Sequence, residues 1–276
     1  MIPQRNISLL SNRLANDGSR RIPEAVLERD YCLAWFLAML SQSPLKGILA
    51  FKGGTALKRC YFDDYRFSED LDFTLLRPMP LEEILHHLET LDANIHEASG
   101  IRFAFDRLDR HGHVNSHTFY LNYDGPLPAQ NSVKVDITIE ESITRPCVDR
   151  SVLRSYPEFT DVPEGRQITV YSLDEIAIEK IVALADAART EPRDLYDLWY
   201  LTSDDTVEVL SLHNGIREKL RFRGKPFDGI QAAIGTKEGR LRTLWAARLA
   251  QQMSRLPEFG EVFRSVRRTL RQAGVP

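Results

Sequence analysis

Two aspartates separated by a single residue are the clearest sign of chemistry in this sequence of 276 residues. Asp70 and Asp72 begin a segment whose apolar residues Leu71 and Phe73 help predict a strand over 71–76. Side chains alternate between the faces of a strand, so the two carboxylates point the same way and lie close together. Such a pair is costly unless a cation lies between the charges, and Mg²⁺ prefers hard oxygen ligands. The pattern therefore favours a magnesium site, although most D-x-D sequences are solvated strand ends.

A third aspartate lies within another predicted strand, over 132–139. Asp136 is flanked by the β-branched residues of VKVDITI, where an aspartate is disfavoured. It either faces solvent on an edge strand or joins Asp70 and Asp72 as a third metal ligand through strand pairing. Three carboxylates can bridge two Mg²⁺ ions, an arrangement that stabilises the attacking and leaving oxygens in phosphoryl or nucleotidyl transfer.

The sequence Gly53-Gly54-Thr55 lies between a predicted strand over 47–51 and a predicted helix over 55–61. Glycines at such a turn let backbone N–H groups approach a phosphate. The G-x-x-x-x-G-K spacing of a Walker A loop is absent. Taken alone, the turn is equally consistent with an ordinary connection between two elements.

Lys180 stands out because the helix that carries it, which begins at Ser172, is otherwise strongly apolar. A lysine there either extends to the surface or reaches a buried anion. On the next predicted helix, Arg193 and Asp197 are spaced for an i, i+4 ion pair. Asp194 lies outside that pair and is freer to face a cleft.

The elements that must position these residues change in type along the chain. Apolar spacing predicts a buried helix over 23–42, after which strand signals dominate, and a capping box at Ser172 and Glu175 opens a helical remainder. Strands followed by helices indicate an α+β fold with two lobes, 1–170 and 171–276. The predicted strands are 47–51, 71–76, 101–108, 117–123 and 132–139; the further predicted helices are 55–61, 81–98, 172–188 and 193–201, with loops at Gly224 and Gly235.

Composition limits the class of protein. Hydrophobic residues make up 43% and charged residues 27%, as in soluble globular proteins, and the longest apolar run is too short to span a bilayer. The three widely spaced cysteines exclude a disulfide framework and a cysteine-based zinc site. His111, His113 and His117 fall between two predicted strands, which favours a polar loop over a zinc site. No secretory signal is visible, so we expect a protein of the reducing cytoplasm without a membrane partner.

Positive charge is concentrated near the C-terminus. Residues 211–276 contain 14 Lys and Arg against 5 Asp and Glu, a formal charge of +9, whereas the whole chain carries −3. The segment REKLRFRGK, over 217–225, interleaves Phe222 with cations, a combination that RNA-binding surfaces use. A helical bundle whose arginines pair with the acidic part of the chain explains the same charges, as does a solvated helix end.

Four separated motifs occur along the chain: GGTAL from Gly53, R-x-S-x-D-L-D-F from Arg66, Glu179-Lys180 with Ala183-Leu184, and PRDLYDL from Pro192. The first two resemble the nucleotidyltransferase fold of the DNA polymerase β superfamily, and in combination the four resemble the AbiEii/AbiGii family of nucleotidyltransferase toxins, which includes the MenT-type toxins. The match spans roughly residues 24–202 in the correct order, and the C-terminal 70 residues add no further motif to it.

The resemblance implies a polymerase β-like nucleotidyltransferase lobe with a mixed sheet, followed by a helical lobe. It implies transfer of a nucleotidyl group from an NTP, with Mg²⁺, to an acceptor such as the 3′ end of tRNA, and a cognate antitoxin that neutralises the toxin. The alternatives are nucleotidylation of a protein hydroxyl, plain hydrolysis, and a catalytically silent member that binds a nucleotide or a partner. The implied roles are phosphate contact for Gly53, Gly54 and Thr55, triphosphate binding for Ser68, metal binding for Asp70 and Asp72, catalysis and nucleotide binding for Lys180, and catalysis for Asp194; Asp136 is added as the third carboxylate of the superfamily.

Overall fold

The computed structural model describes residues 1–16, 20–111, 113–203 and 206–276. The chain forms two compact units, which are Met1–Glu140 with Cys147–Val170 and Glu141–Pro146 with Tyr171–Pro276. The assignment of separate functional domains to 1–170 and 171–276 stays a prediction. Across the described ranges, no helix combines the length and the apolar character that crossing a membrane requires.

A single mixed sheet is the centre of the first unit. Its strands are β1 Leu49–Lys52, β2 Leu71–Leu75, β3 Arg102–Leu108, β4 Ser116–Asp124, β5 Asn131–Thr138, β6 Val148–Ser151 and β7 Gln167–Val170. Their order across the sheet is β3-β4-β5-β2-β1-β7-β6. The pairs β2–β5 and β1–β7 are parallel, and the other neighbours are antiparallel. The predicted α+β fold with a mixed sheet is confirmed.

The helices of the first unit cover and connect this sheet. They are α1 Gln4–Asn16, α2 Glu24–Leu40, α3 Gly53–Ala56 and α4 Leu81–Ser99, with a 3₁₀ turn at Pro44–Gly47 and a π-helical turn at Leu57–Tyr61. The helix α2 packs against α4 and β7, and α4 packs against β3. Most of α2 is buried, as its apolar run over 31–40 requires. Ring pairs such as Phe51–Phe73, with centroids 5.1 Å apart, fill the core between strands.

The second unit is helical in the part that the structure describes. Its helices are α5 Leu173–Ala185, α6 Pro192–Ser203, α7 His213–Phe222, α8 Ile230–Thr236, α9 Glu238–Leu249 and α10 Phe259–Gln272. The Ser172 side chain accepts a hydrogen bond from the backbone N–H of Glu175 at 3.3 Å, so the predicted start of α5 is correct. The Glu175 carboxylate bonds to Thr144 and to the backbone N–H of Arg145. It therefore fastens the 141–146 segment to α5.

Three parts of the predicted element pattern differ from the structure. The strands β6 and β7 were not predicted, because each has four residues and β6, VDRS, lacks apolar alternation. No element was predicted over α1, although Ile7 and Leu10 are buried on one of its faces. Gly235 lies inside α8, not in a loop. These errors concern short or marginal segments whose structure depends on what they pack against.

Candidate active site

The turn after β1 is shaped around the carboxylate of Asp72. Gly53 has φ +78°, a left-handed backbone that residues with a side chain rarely adopt. A Cβ atom placed on Gly53 would lie 2.6 Å from Asp72 Oδ2, closer than any side chain could tolerate. Glycine is therefore required at position 53 both by the backbone angle and by the carboxylate beneath it.

The rest of the turn packs on the R-x-S-x-D segment. A Cβ atom on Gly54 would lie 2.5 Å from Nη2 of Arg66 and 3.1 Å from Oγ of Ser68. The Thr55 hydroxyl donates a hydrogen bond of 2.5 Å to the backbone oxygen of Asp70. This hydroxyl holds the two motifs together. Of the three residues predicted to contact phosphates, Gly53 and Gly54 lie beside Asp72 and Ser68, and Thr55 directs its hydroxyl to the backbone of Asp70.

A row of polar side chains crosses four strands of the sheet at the level of Asp72. In the β1–β2 ladder Lys52 is the partner of Asp72, and in the β2–β5 ladder Asp72 is the partner of Asp136. Partners in a ladder place their side chains on the same face, and neighbouring strands lie about 4.8 Å apart. Thr118 on β4 donates a hydrogen bond of 2.9 Å to Asp136 Oδ2. Strand pairing thus brings the third predicted carboxylate beside Asp72, and Asp136 lies on an interior strand of the sheet.

The carboxylate oxygens of this row suit a hard cation that keeps some of its bound water. Asp72 and Asp136 offer two adjacent carboxylates, and Asp70 precedes β2 by one residue. In the described residues, no group of three or more His, Cys, Asp and Glu side chains is gathered so that it could hold a metal ion. Mg²⁺ is usually held by one or two protein carboxylates, with water and substrate phosphates completing the shell. The pair therefore fits Mg²⁺, whereas the set of three ligands stays a prediction.

Lys180 and Asp194 form a buried ionic group within the second unit. Lys180 Nζ lies 2.9 Å from Asp194 Oδ1 and 2.8 Å from Asp197 Oδ2, and both carboxylates are buried. Arg189 Nε contacts the other oxygen of Asp194 at 2.6 Å. Burial opposes the ionisation of Asp194, but Lys180 and Arg189 outweigh it and hold the pKa of that carboxyl below its usual range. The sequence left two alternatives for Lys180, extension to the surface or contact with a buried anion. The structure shows the second, and the anions are the carboxylates of Asp194 and Asp197.

Several cations of the basic segment 217–225 are engaged by acidic side chains. Lys219 is fully buried, with Nζ 2.5 Å from Glu175 Oε1 and 3.2 Å from Glu179 Oε1. Arg223 pairs with Glu141 and Glu179, and Lys225 Nζ lies 3.2 Å from Asp186. Several of its cations thus neutralise acidic residues of the same unit, as the bundle alternative foresaw.

Sequence reasoning assigned no role to Lys52 or Arg66, and it treated Asp197 only as a helix ion-pair partner. Arg66 is buried and donates a hydrogen bond of 3.2 Å to the backbone oxygen of Phe67. For Lys52 a signal existed, because it is a charged residue directly after an apolar run, and Arg66 is the first residue of the R-x-S-x-D-L-D-F motif. For Asp197 the sequence carries no such signal, because its partner Lys180 lies on a different helix.

Comparisons with known proteins identify a family and structures of similar fold. The sequence matches the family described as nucleotidyl transferase AbiEii toxin, type IV TA system, over residues 35–270. Similar solved structures include MenT4, a nucleotidyltransferase toxin from Mycobacterium tuberculosis H37Rv, with a TM-score of 0.64 and 16% identity over 97% of this chain and 89% of that chain. A protein from H. pylori described as a nucleotidyltransferase has a TM-score of 0.59 and 17% identity over 91% of this chain and 96% of that chain. A comparison with curated proteins gave no match. Because the family match extends over most of its length, the chain belongs to the AbiEii family of nucleotidyltransferase toxins of type IV toxin–antitoxin systems.

Proposed function

We propose that this toxin transfers a nucleotidyl group from an NTP to the 3′ end of tRNA in a reaction that depends on Mg²⁺. The observation that carries the proposal is the packing of the Gly53-Gly54 turn onto Asp72 and Ser68, with Asp136 beside Asp72. This arrangement brings a glycine turn, a hydroxyl and a carboxylate pair together in one place. Those are the groups that nucleotidyl transfer needs for binding a triphosphate and a cation.

In the proposed reaction, the 3′ hydroxyl of the acceptor attacks the α-phosphorus of the NTP. A new P–O bond forms, the bond to pyrophosphate breaks, and the hydroxyl proton leaves to solvent. Asp72 and Asp136, with Asp70 beside them, would hold the Mg²⁺, which lowers the cost of the charge that develops on the phosphate oxygens. Ser68, whose Oγ lies against Gly54, would donate a hydrogen bond to a phosphate oxygen.

Lys180 and Asp194 enter the proposal through the family motifs that they match. Lys180 would neutralise charge on the leaving pyrophosphate, a contribution that is greatest in the transition state. Asp194 and Asp197 would fix the ammonium in position, because both contact it within 2.9 Å. The cytoplasm is the proposed location, where NTPs, tRNA and an antitoxin meet.

A phosphate-rich acceptor is favoured by exposed arginines on α10. Arg264, Arg268 and Arg271 are all exposed and lie at positions i, i+4 and i+7 of that helix. Such a stripe matches the phosphate backbone of RNA, whereas a protein acceptor would need no broad basic surface. We call these three residues the α10 arginine stripe.

The test is incubation of the purified chain with each labelled NTP in turn, Mg²⁺ and total RNA. The expected result is label in the tRNA fraction, lost in the Asp72→Asn variant, which keeps the side-chain size. Label on protein would favour protein nucleotidylation, and release of labelled monophosphate without transfer would favour hydrolysis. NTP binding without any product would identify a catalytically silent member. Each of these results would overturn transfer to tRNA.

A further inference from the structure

Lys52 is a buried lysine in the row of carboxylates described above. It is the last residue of β1 and only 9% exposed. Its ladder partner is Asp72, whose own partner on β5 is Asp136. One positive and two negative side chains therefore follow one another on the same face of three adjacent strands.

The ammonium of Lys52 extends over the neighbouring strand. Its Nζ donates a hydrogen bond of 2.9 Å to Oγ1 of Thr138 on β5. Thr138 lies two residues after Asp136, so both side chains point to the same face of β5. Because β2 lies between β1 and β5, the lysine side chain crosses β2 on the face that carries Asp72. The ammonium is thus held on the face that carries the carboxylate pair, beside Thr138 and one row along the strands from Asp72 and Asp136, and the side chain is buried.

Two adjacent carboxylates on a partly buried face repel each other and require a counter-charge. We propose that Lys52 is a positioning residue that supplies this charge when no divalent cation is bound, and that a divalent cation competes with it for the same two carboxylates. The inference rests on the proposed function only in taking Asp72 and Asp136 as the cation site. Lys52 is then an internal cation that holds the carboxylates of Asp72 and Asp136 in place before a metal ion and a nucleotide bind.

The expected result concerns cation binding by the resting protein. In the Lys52→Met variant the melting temperature in EDTA should fall below that of the wild type, because the carboxylates lose their counter-charge. Mn²⁺ or Mg²⁺ should then raise the melting temperature more in the variant than in the wild type. The half-saturating Mn²⁺ concentration should decrease by about tenfold, since a fixed positive charge no longer repels the ion.

Matched variants separate this effect from general damage. Lys46→Met removes a surface lysine whose Nζ lies 3.8 Å from Asp149, and it should behave like the wild type. Thr138→Val removes only the anchor of Lys52 and should give an intermediate cation response; it also serves if Lys52→Met does not fold. In the double variant Lys52→Met, Asp72→Asn, the additional response to Mn²⁺ should vanish.

The inference fails if Lys52→Met and the wild type show equal cation-induced shifts, or if the larger shift survives in the double variant. Its failure is distinguishable from that of the proposed function. A wild-type chain that labels tRNA beside a Lys52→Met chain with an unchanged Mn²⁺ response would overturn the inference alone. An enlarged response that depends on Asp72, in a chain that transfers no nucleotide, would support the inference and overturn the function.

Discussion

Two constraints act on Gly53, its left-handed backbone and the nearby carboxylate of Asp72, and comparison with a second glycine can separate their effects. Gly53→Ala should lose about 1–2 kcal/mol of stability from the left-handed backbone alone, and the Cβ contact at 2.6 Å should displace the Asp72 carboxylate. We therefore expect loss of nucleotidyl transfer together with a lower melting temperature. Gly165→Ala is the matched control, because Gly165 has φ +74° with nothing within 4 Å of its Cβ position. It should lose a similar stability and keep transfer; normal transfer by Gly53→Ala would contradict this explanation.

Lys180 is expected to serve both stability and catalysis. Lys180→Met leaves Asp194 and Asp197 buried without their common cation, and breaking a buried pair typically costs about 3–5 kcal/mol. If the ammonium also stabilises the leaving pyrophosphate, kcat should fall by about 10²–10³ at temperatures where the variant is still folded. Thermal melts, and kinetics at one common temperature at which every variant is folded, measure the two effects separately, with Lys180→Arg as the variant that keeps the charge. A folded Lys180→Met enzyme with unchanged kcat would leave the residue only a structural role.

At the scale of elements, α10 is the helix whose surface can be tested as an RNA contact. Reversal of the arginine stripe with Arg264→Glu, Arg268→Glu and Arg271→Glu should raise the KM for RNA at least tenfold and leave the KM for NTP unchanged. Losing three phosphate contacts should also reduce the slope of log affinity against log salt by about 2. The control is reversal of Arg5, Arg20 and Arg102, which are exposed residues of the first unit and change the net charge equally. If both triple variants bind RNA alike, the acceptor lies on another surface.

At the scale of the whole molecule, the second unit is built from two separate stretches of the chain. Residues 141–146 belong to the second unit, where Thr144 and Arg145 bond to the buried carboxylate of Glu175. The fully buried Lys219 contacts Glu175 and lies 3.9 Å from Glu141. A fragment of residues 171–276 loses these partners, so circular dichroism should show a lower and broader melting transition than for a fusion that restores 141–146 through a flexible linker. Equal melting of the two fragments would show that 171–276 is an independent domain.

Local sequence information was sufficient for many elements of this fold. The strands β2, β3, β4 and β5 and the helices α2, α4, α5 and α6 follow from apolar periodicity and capping, because these patterns act over a few residues. The same applies to the placement of Asp70 and Asp72 at the start of a strand, and to the family motifs that surround them. Four-residue strands such as β6 carry too little pattern to be predicted.

The remaining features depend on contacts between residues that are distant in the sequence. The ladder that places Asp136 beside Asp72, and Lys52 opposite them, joins strands that neither periodicity nor spacing can pair. The same is true of Lys219, for which the sequence left an RNA-binding surface and a charge-neutralised bundle both open, and which the second unit buries against Glu175. The sequence by itself thus determined the elements, the family and the carboxylates, because these are written in local patterns. Only the tertiary structure decided which charges neutralise one another, because the partners of a buried charge are set by packing across the whole unit.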